Sequence, residues 1–201
     1  MVVAPPSPSP GGSSNRLIFS WILGACILSV GNFESCWRLV LRVIRDYIGK
    51  RGERIFEVLI LDPCGRQNPF FDPVYLGDKF PTFDYYVELV GAGARYYFFV
   101  QIKSTREGYR ALGGRRRLRV ELNQKDIDRM VAFPAPTYAV GIDEGARRGY
   151  ILSVNAARRG ISTFPTKFPL SCANLRRLWN EVNTFWSRRD MALTGSYFIV
   201  E

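Results

Sequence analysis

The stretch "DYYVELVGAGARYYFFVQIKST", residues 84–105, predicts a β-hairpin and decides the fold class of the chain. Two β-rich runs flank the short sequence "GAGA", and glycine between two such runs favours antiparallel pairing. Side chains alternate between the two faces of a strand. We therefore expect Asp84, at the start of the first strand, to lie close to Gln101 and Lys103, which share a face at the end of the second.

The segment before the hairpin, residues 35–61, places its apolar residues at helical spacing. Gly49 and Gly52 lie in the middle of this segment, and glycine disfavours the interior of a helix by about 1 kcal/mol. The sequence therefore predicts two helices, one before the glycines and a second from about Lys50 to Leu61. The second helix carries two glutamates that are four residues apart, so that they share one face.

After the hairpin the sequence predicts an arginine-rich loop, a short helix, two strands and a final helix. Asn123 is a suitable cap for the short helix, and Pro134 stops it. The strands are "TYAVGIDE" and "GYILSVN", and the final helix is "ANLRRLWNEVNTFWSRR". This order of elements predicts an α/β fold in which helices flank a central mixed β-sheet.

The composition narrows the chemistry of which the chain is capable. The sequence contains no histidine, which removes Ser-His and Cys-His nucleophilic catalysis. A formal charge of +10, with 23 Arg and 5 Lys, favours a polyanionic partner such as nucleic acid. No CxxC pair is present, so the cysteines are expected to be reduced thiols in a cytoplasmic protein. They are Cys26, Cys36, Cys64 and Cys172.

The termini differ in composition from the rest of the chain. Residues 1–34 form an N-terminal extension, which begins with a Pro/Ser/Gly-rich tail that we expect to be disordered. The apolar run that follows, residues 17–30, is shorter than the roughly 20 residues needed to span a bilayer. A membrane partner is therefore not expected, and a membrane-tethered protein is a third interpretation. The globular domain is predicted over residues 35–190, followed by a C-terminal tail over 191–201.

The order of the charged residues resembles the motif of the PD-(D/E)XK nuclease superfamily. That motif combines a glutamate on a helix, an aspartate on a strand, and a next strand with an acid or Gln, any residue and Lys. Here it reads Glu53 or Glu57, then Asp84, then "QIK", and the Gln form is similar to Mrr-like restriction endonucleases. The stretches "GDKFPTFDYYVEL", "FFVQIKST", "FPAPTYAVGIDE" and "GYILSVN" resemble the bacterial family called domain of unknown function 4365, over about Ile44 to Arg188.

The resemblance implies a restriction-endonuclease-like three-layer fold and a hydrolase that cleaves DNA with Mg²⁺ or Mn²⁺ as its cofactor. Asp84 would be the principal metal ligand, and Gln101 would add only a neutral amide oxygen. Glu53 or Glu57 would restore the missing carboxylate. Lys103 would orient the attacking water and stabilise the negative charge on the phosphate.

The choice between the two glutamates stays open at this point. Glu53 is preferred because the sequence "GxxGE" before an apolar helix resembles the helix entry of these nucleases. In the other interpretation, Glu57 forms a surface pair with Arg54 or Lys50.

An arginine-rich segment directly follows the candidate site. Arginine contacts phosphates through a planar fork of donors, so these residues are predicted to bind nucleic acid. An exposed hairpin or loop that only adds solubility is the alternative. The residues are Arg106, Arg110, Arg115, Arg116, Arg117 and Arg119.

These observations lead us to expect a Mg²⁺-dependent endonuclease that hydrolyses DNA phosphodiester bonds. The alternative is a nuclease-fold module that is catalytically weak or inactive and binds nucleic acid or a protein partner, as the neutral Gln101 permits. DNA is the expected partner. The resemblance also allows a homodimer, because many relatives of this fold act as dimers.

Overall fold

The computed structural model describes residues 33–77, 80–156 and 159–189. The chain divides into two compact units, Met1–Asp46 and Tyr47–Glu201. The predictions for the disordered tail, the apolar run at 17–30 and residues 191–201 fall outside the described part of the chain. Among the described residues, no helix combines the length and the apolar character needed to cross a membrane.

Three helices and eight strands form within the described residues. The helices are α1 (Phe33–Ile60), α2 (Gln124–Val131) and α3 (Cys172–Ser187). The strands are β1 (Phe71–Tyr75), β2 (Tyr85–Leu89), β3 (Tyr97–Thr105), β4 (Tyr109–Leu112), β5 (Arg115–Leu118), β6 (Thr137–Asp143), β7 (Arg148–Ser153) and β8 (Phe164–Pro165). In the first unit, the described residues form the beginning of α1, where Arg38 and Glu34 pair at 3.0 Å and Trp37 is exposed.

The central sheet has five strands in the order β1-β2-β3-β6-β7. β3 and β6 run parallel, whereas the other neighbours are antiparallel. A smaller sheet contains β4, β5 and β8. The predicted mixed α/β fold is confirmed, and so is the hairpin, in which Tyr85 lies opposite Val100. The arginine-rich segment predicted as a loop is itself a hairpin, formed by β4 and β5.

Helices cover both faces of β3. The Ser104 hydroxyl donates to the backbone carbonyl of Ile48 on α1, at 2.9 Å. The neighbouring Lys103 instead forms an ion pair with Asp126 on α2. Because successive residues of a strand point to opposite faces, α1 and α2 lie on opposite sides of the strand. This arrangement is compatible with a three-layer α/β fold.

Aromatic side chains fill the core between the sheet and its helices. The rings of Phe56 on α1 and Tyr85 on β2 lie 5.0 Å apart, and Phe98 on β3 meets Tyr138 on β6 at 5.3 Å. On α3, the Trp186 indole donates to a backbone carbonyl of β3 at 2.7 Å. Burying one large apolar side chain contributes about 1.5–3 kcal/mol, so these contacts hold α1 and α3 on the sheet.

Helix α1 is continuous through Gly49 and Gly52, so the predicted break between two helices is wrong. The reason is a close approach at Gly52, where a Cβ atom would lie 2.5 Å from the Cβ of Ser104. A Cβ atom added at Gly49 would meet no atom within 4 Å beyond the adjacent residues and the nearby helix backbone. Gly52 therefore allows α1 to pack tightly on β3, and the burial gained there outweighs the weak helix propensity of glycine.

Cys64 and Cys172 form a disulfide, with their Cα atoms 5.3 Å apart. The prediction that the cysteines are reduced is wrong for this pair, because the fold brings together two residues that are 108 positions apart. The bond joins the segment after α1 to the first residue of α3. Cys26 and the side chain of Cys36 lie outside the described part.

We predict opposite effects for alanine at the two glycines of α1. Gly52→Ala should lower the free energy of unfolding by about 1–3 kcal/mol, because the new methyl group overpacks the contact with Ser104. Gly49→Ala, the matched control, should raise it by up to about 1 kcal/mol through helix propensity. Denaturant unfolding followed by circular dichroism measures both. Equal stabilisation by the two variants would contradict the close approach.

Candidate functional site

Asp84 lies immediately before β2 and is fixed against the backbone of β3. Its own N–H donates to the carbonyl of Val100 at 2.9 Å, and its carboxylate oxygen Oδ2 accepts the N–H of Ile102 at 2.5 Å. The carboxylate thus takes the place of the next backbone partner in the ladder. The structure therefore brings the Asp84 carboxylate to the backbone of Ile102, the residue between Gln101 and Lys103.

Gln101 is the polar residue that the fold buries beside Asp84. Only 5% of Gln101 is exposed, and its oxygen Oε1 is buried without a hydrogen-bond partner among the described residues. An unsatisfied buried polar atom costs about 1–3 kcal/mol, which a donor or a cation at this position would recover. Carboxylate and amide oxygens are the ligands that Mg²⁺ prefers. Asp84 and Gln101 therefore offer the types of donor that suit a hard metal ion, with a single negative charge between them.

Lys103 is held by a carboxylate that the sequence analysis missed. Its Nζ atom lies 3.3 Å from Oδ2 of Asp126, and the Lys103 side chain is 35% exposed. Asp126 is itself restrained by Asn123, whose amide donates to the same oxygen at 3.0 Å. The Asn123 side chain in turn accepts the backbone N–H of Asp126 at 2.8 Å and so caps α2. The sequence does contain a signal for this contact, because Asp126 lies three residues after the helix cap Asn123.

Tyr85, the first residue of β2, contacts the glutamate positions of α1. The Tyr85 hydroxyl donates to Oε1 of Glu57 at 3.0 Å and lies 3.5 Å from the backbone carbonyl of Glu53. Burial, together with the Glu57 carboxylate, raises the pKa of Tyr85 above its ordinary value, so the phenol stays protonated and donates. Glu57 also pairs with Arg54 at 3.2 Å, the surface pair given as the alternative. The side chains of Gln101 and Lys103, by contrast, belong to the α2 side.

A second charged cluster surrounds Glu144, just after β6. Its side chain is only 2% exposed. Its Oε1 atom lies 2.6 Å from Nε of Arg51 and accepts a hydrogen bond from Nη2 of Arg106 at 2.8 Å. The Nε atom of Arg106 also contacts the carboxylate. Hydrogen bonding from Arg106 holds the pKa of Glu144 below its ordinary value, although burial opposes this effect. Both guanidinium groups lie within 6 Å of the Tyr47 ring centre, at 5.8 and 5.9 Å.

The Glu144 cluster changes the interpretation of Arg106, which the sequence predicted to bind nucleic acid. Its guanidinium group is engaged by a buried carboxylate, so it stabilises the fold at the junction of α1, β3 and β6. Arg119 faces an acidic residue too, since its Nη1 atom lies 3.9 Å from Glu107. Arg110 lines a cleft with these two residues and Glu121, so the charges there largely cancel.

The remaining three arginines of the run lie on β5, and two of them contact neutral groups. Arg117 donates to the hydroxyl of Thr163 at 2.9 Å and to its backbone carbonyl at 2.5 Å. The guanidinium carbon of Arg116 lies 3.6 Å from the ring centre of Tyr109. Arg115 is exposed at the start of the strand. These contacts with neutral groups leave the positive charge of β5 available to a ligand.

Comparison with protein-family models, with curated proteins and with solved structures found no match for this chain. The fold and the site together define a mixed α/β protein in which Asp84, immediately before β2, is hydrogen-bonded to the backbone of β3 between Gln101 and Lys103. We refer to these three residues as the Asp–Gln–Lys cluster. Asp126 on α2 completes this cluster on the Lys103 side.

The depressed pKa of Glu144 predicts an acid-sensitive contribution to stability. Such a group stabilises the fold above its unfolded-state pKa of about 4.3, and this stabilisation is lost as the pH falls through the lower folded-state pKa. Glu144→Gln should therefore lower the free energy of unfolding at pH 7 by about 1–3 kcal/mol. The difference from the native chain should shrink as the pH falls below about 4.3, because the unfolded chain then binds a proton that the folded Glu144 does not.

Urea unfolding at a series of pH values measures this effect. Glu107→Gln is the matched control, because the Glu107 side chain is 73% exposed and should change stability by less than about 0.5 kcal/mol. A pH-independent difference between Glu144→Gln and the native chain would contradict the assignment.

Proposed function

We propose that the chain is a metal-dependent nuclease that hydrolyses DNA phosphodiester bonds. In this proposal its mixed α/β fold is of the restriction-endonuclease-like type, and it is related to the PD-(D/E)XK nucleases and the domain of unknown function 4365 family. The observation that carries the proposal is the buried, unpartnered Oε1 atom of Gln101, next to a strand position to which Asp84 is hydrogen-bonded. Both groups are oxygen donors of the kind that Mg²⁺ or Mn²⁺ accepts.

In the proposed site, Asp84 and Gln101 would hold the metal ion. When bound, the ion would neutralise charge on the phosphate and lower the pKa of a water molecule. The backbone N–H of Ile102 orients the Asp84 carboxylate before any metal arrives. This preorganisation matters because a ligand already fixed in place loses little freedom on binding.

Lys103 would place its positive charge at the phosphate under attack. A preorganised cation at the position where negative charge develops lowers the barrier to reaction. Asp126 keeps the ammonium group in place, which makes Asp126 a positioning residue. Histidine is absent from the sequence, so proton transfer would rely on water, carboxylates and this lysine.

A second candidate function is a DNA-binding module of the same fold that binds metal weakly. The observation that favours it is the engagement of Glu57 by Tyr85 and Arg54 on the α1 side. With Gln101 neutral and Glu57 engaged, the negative charge that the predicted ligands offer a metal would come from Asp84 and Glu53 alone. Location in the cytoplasm and assembly as a homodimer stay predictions under both functions.

A change at Gln101 should tune metal binding. Gln101→Glu adds a carboxylate at the buried position, so the metal-free protein should become less stable and the stabilisation by Mn²⁺ should grow. At a Mn²⁺ concentration of 100 times the dissociation constant, binding adds about 2.7 kcal/mol to the free energy of unfolding. Gln101→Met, the matched control, keeps the volume without the oxygen and should lose the response to metal.

Thermal unfolding of the three proteins with and without Mn²⁺ provides the measurement. A Mn²⁺ shift of the same size in Gln101→Glu and Gln101→Met would show that the metal binds elsewhere.

Lys103→Ala is the test of catalysis. It should preserve the fold and most metal binding but reduce cleavage by about 10²- to 10³-fold, the usual loss when one preorganised electrostatic group is removed. The assay uses the full chain with plasmid and single-stranded DNA in Mg²⁺, Mn²⁺ or EDTA. Lys125→Ala removes an exposed lysine of α2 and is expected to cleave like the native chain.

Cleavage that persists in EDTA, or in Lys103→Ala at the native rate, would refute the proposed site. If the native chain binds DNA and cleaves none in either metal, the binding module becomes the better description.

A further inference from the structure

The small sheet of β4, β5 and β8 borders an open cleft that is separate from the Asp–Gln–Lys cluster. The cleft has a volume of about 600 Å³, within the range of roughly 300–1,000 Å³ that is typical of small-molecule sites. Four cationic residues line it, namely Arg115, Arg116, Arg117 and Lys167. We call it the basic cleft.

Acidic side chains distinguish the basic cleft from its neighbour on the same sheet. The neighbouring cleft contains Arg110 and Arg119, but also Glu107 and Glu121. No acidic residue is among those that line the basic cleft in the described chain. The basic cleft therefore carries an uncompensated positive charge, which requires an anionic ligand or solvent ions.

Several contacts hold the cations of the basic cleft in position. Thr163 fixes Arg117 through its hydroxyl and its carbonyl, and the Tyr109 ring lies under Arg116. The hydroxyl of Thr166 donates to the Arg116 carbonyl at 2.6 Å and ties β5 to the segment that follows β8. Ordered cations lose less side-chain entropy when they bind a phosphate, so this arrangement suits a specific anion site.

The other part of the lining is apolar. Leu152, Pro165 and Phe168 contribute to it, and Phe168 is 40% exposed. The Lys167 ammonium lies 5.2 Å from the centre of the Phe168 ring. A cation next to an exposed aromatic ring matches the two halves of a nucleotide, a phosphate and a flat base.

We propose that the basic cleft binds one nucleotide of a single-stranded nucleic acid. The phosphate lies on the arginine and lysine side chains, and the unpaired base stacks against Phe168. Only an unpaired base exposes its face for such stacking, and one stacked base is worth about tenfold or more in affinity. The inference rests on the proposed function in taking nucleic acid as the ligand, but it concerns binding and not cleavage.

The test measures binding of the full chain in EDTA, so that no cleavage occurs. The probes are a fluorescent oligo-dT of about 15 nucleotides, comparable with single-strand binding sites, and its duplex with oligo-dA, at several salt concentrations. Lys167→Ala should reduce the salt dependence of oligo-dT binding by about 0.7, the value for one phosphate contact on a single strand. Arg95→Ala, in the turn between β2 and β3, is the matched control and should bind like the native chain.

Phe168→Ala should weaken oligo-dT binding about tenfold with an unchanged salt dependence, and it should affect the duplex much less. Phe168→Leu keeps an apolar side chain without the aromatic face and should show the same selective loss. This second variant separates stacking from any effect of Phe168→Ala on folding.

Equal weakening of single-stranded and duplex binding in the Phe168 variants would overturn the stacking of an unpaired base. Native-like binding by both Lys167→Ala and Phe168→Ala would overturn the whole site. Polyglutamate at equal charge serves as a competitor, and its displacement of oligo-dT would assign the cleft to acidic protein segments. If the binding results are as expected but the native chain does not cleave DNA in Mg²⁺ or Mn²⁺, only the nuclease proposal is overturned. Cleavage without these binding effects would overturn only the basic cleft.

Discussion

The antiparallel pairing of β2 with β3 is the constraint on which the rest of the structure depends. The backbone ladder reaches the pair Tyr85 and Val100, and Asp84 then closes it with a side-chain carboxylate on Ile102. Beyond that point β3 continues to Thr105 alongside β6. The polar end of β3 therefore extends past the end of β2. The polar residues at the end of β3 thus lie beside an acidic residue, Asp84, at which the β2–β3 hydrogen-bond ladder ends.

Packing on the two faces of β3 separates the charged groups by role. Gly52 lets α1 approach Ser104 closely, and the preceding residue, Arg51, reaches the buried Glu144. On the opposite face, α2 supplies Asp126 to Lys103. The α1 side therefore uses its charges to hold the fold together. The α2 side leaves a partly exposed lysine near an unsatisfied amide oxygen, which is a less stable arrangement and one that suits a ligand.

The arginines of the arginine-rich segment lie in several different environments in the folded protein. Pairing of β4 with β5 sends successive side chains to alternate faces. Arg106 reaches a buried carboxylate and Arg119 faces Glu107, whereas the arginines of β5 meet a hydroxyl, a carbonyl and an aromatic ring. Net positive charge therefore remains on β5, whereas the charges of Arg106 and Arg119 are offset by acidic partners.

The sequence by itself determined the elements whose signals are local. Alternating apolar residues defined β2 and β3, and the Asn123 cap and apolar spacing defined α2 and α3, because these patterns depend on neighbours along the chain. The same alternation predicted that Asp84 lies near Gln101 and Lys103, and in the structure its carboxylate accepts the N–H of the intervening Ile102. Tertiary structure decided what depends on distant residues: Gly52 against Ser104, Cys64 with Cys172, Asp126 with Lys103, and Glu144 with its two arginines. These pairs are separated by 23 to 108 positions, and no local pattern records which distant side chain a folded backbone brings into contact.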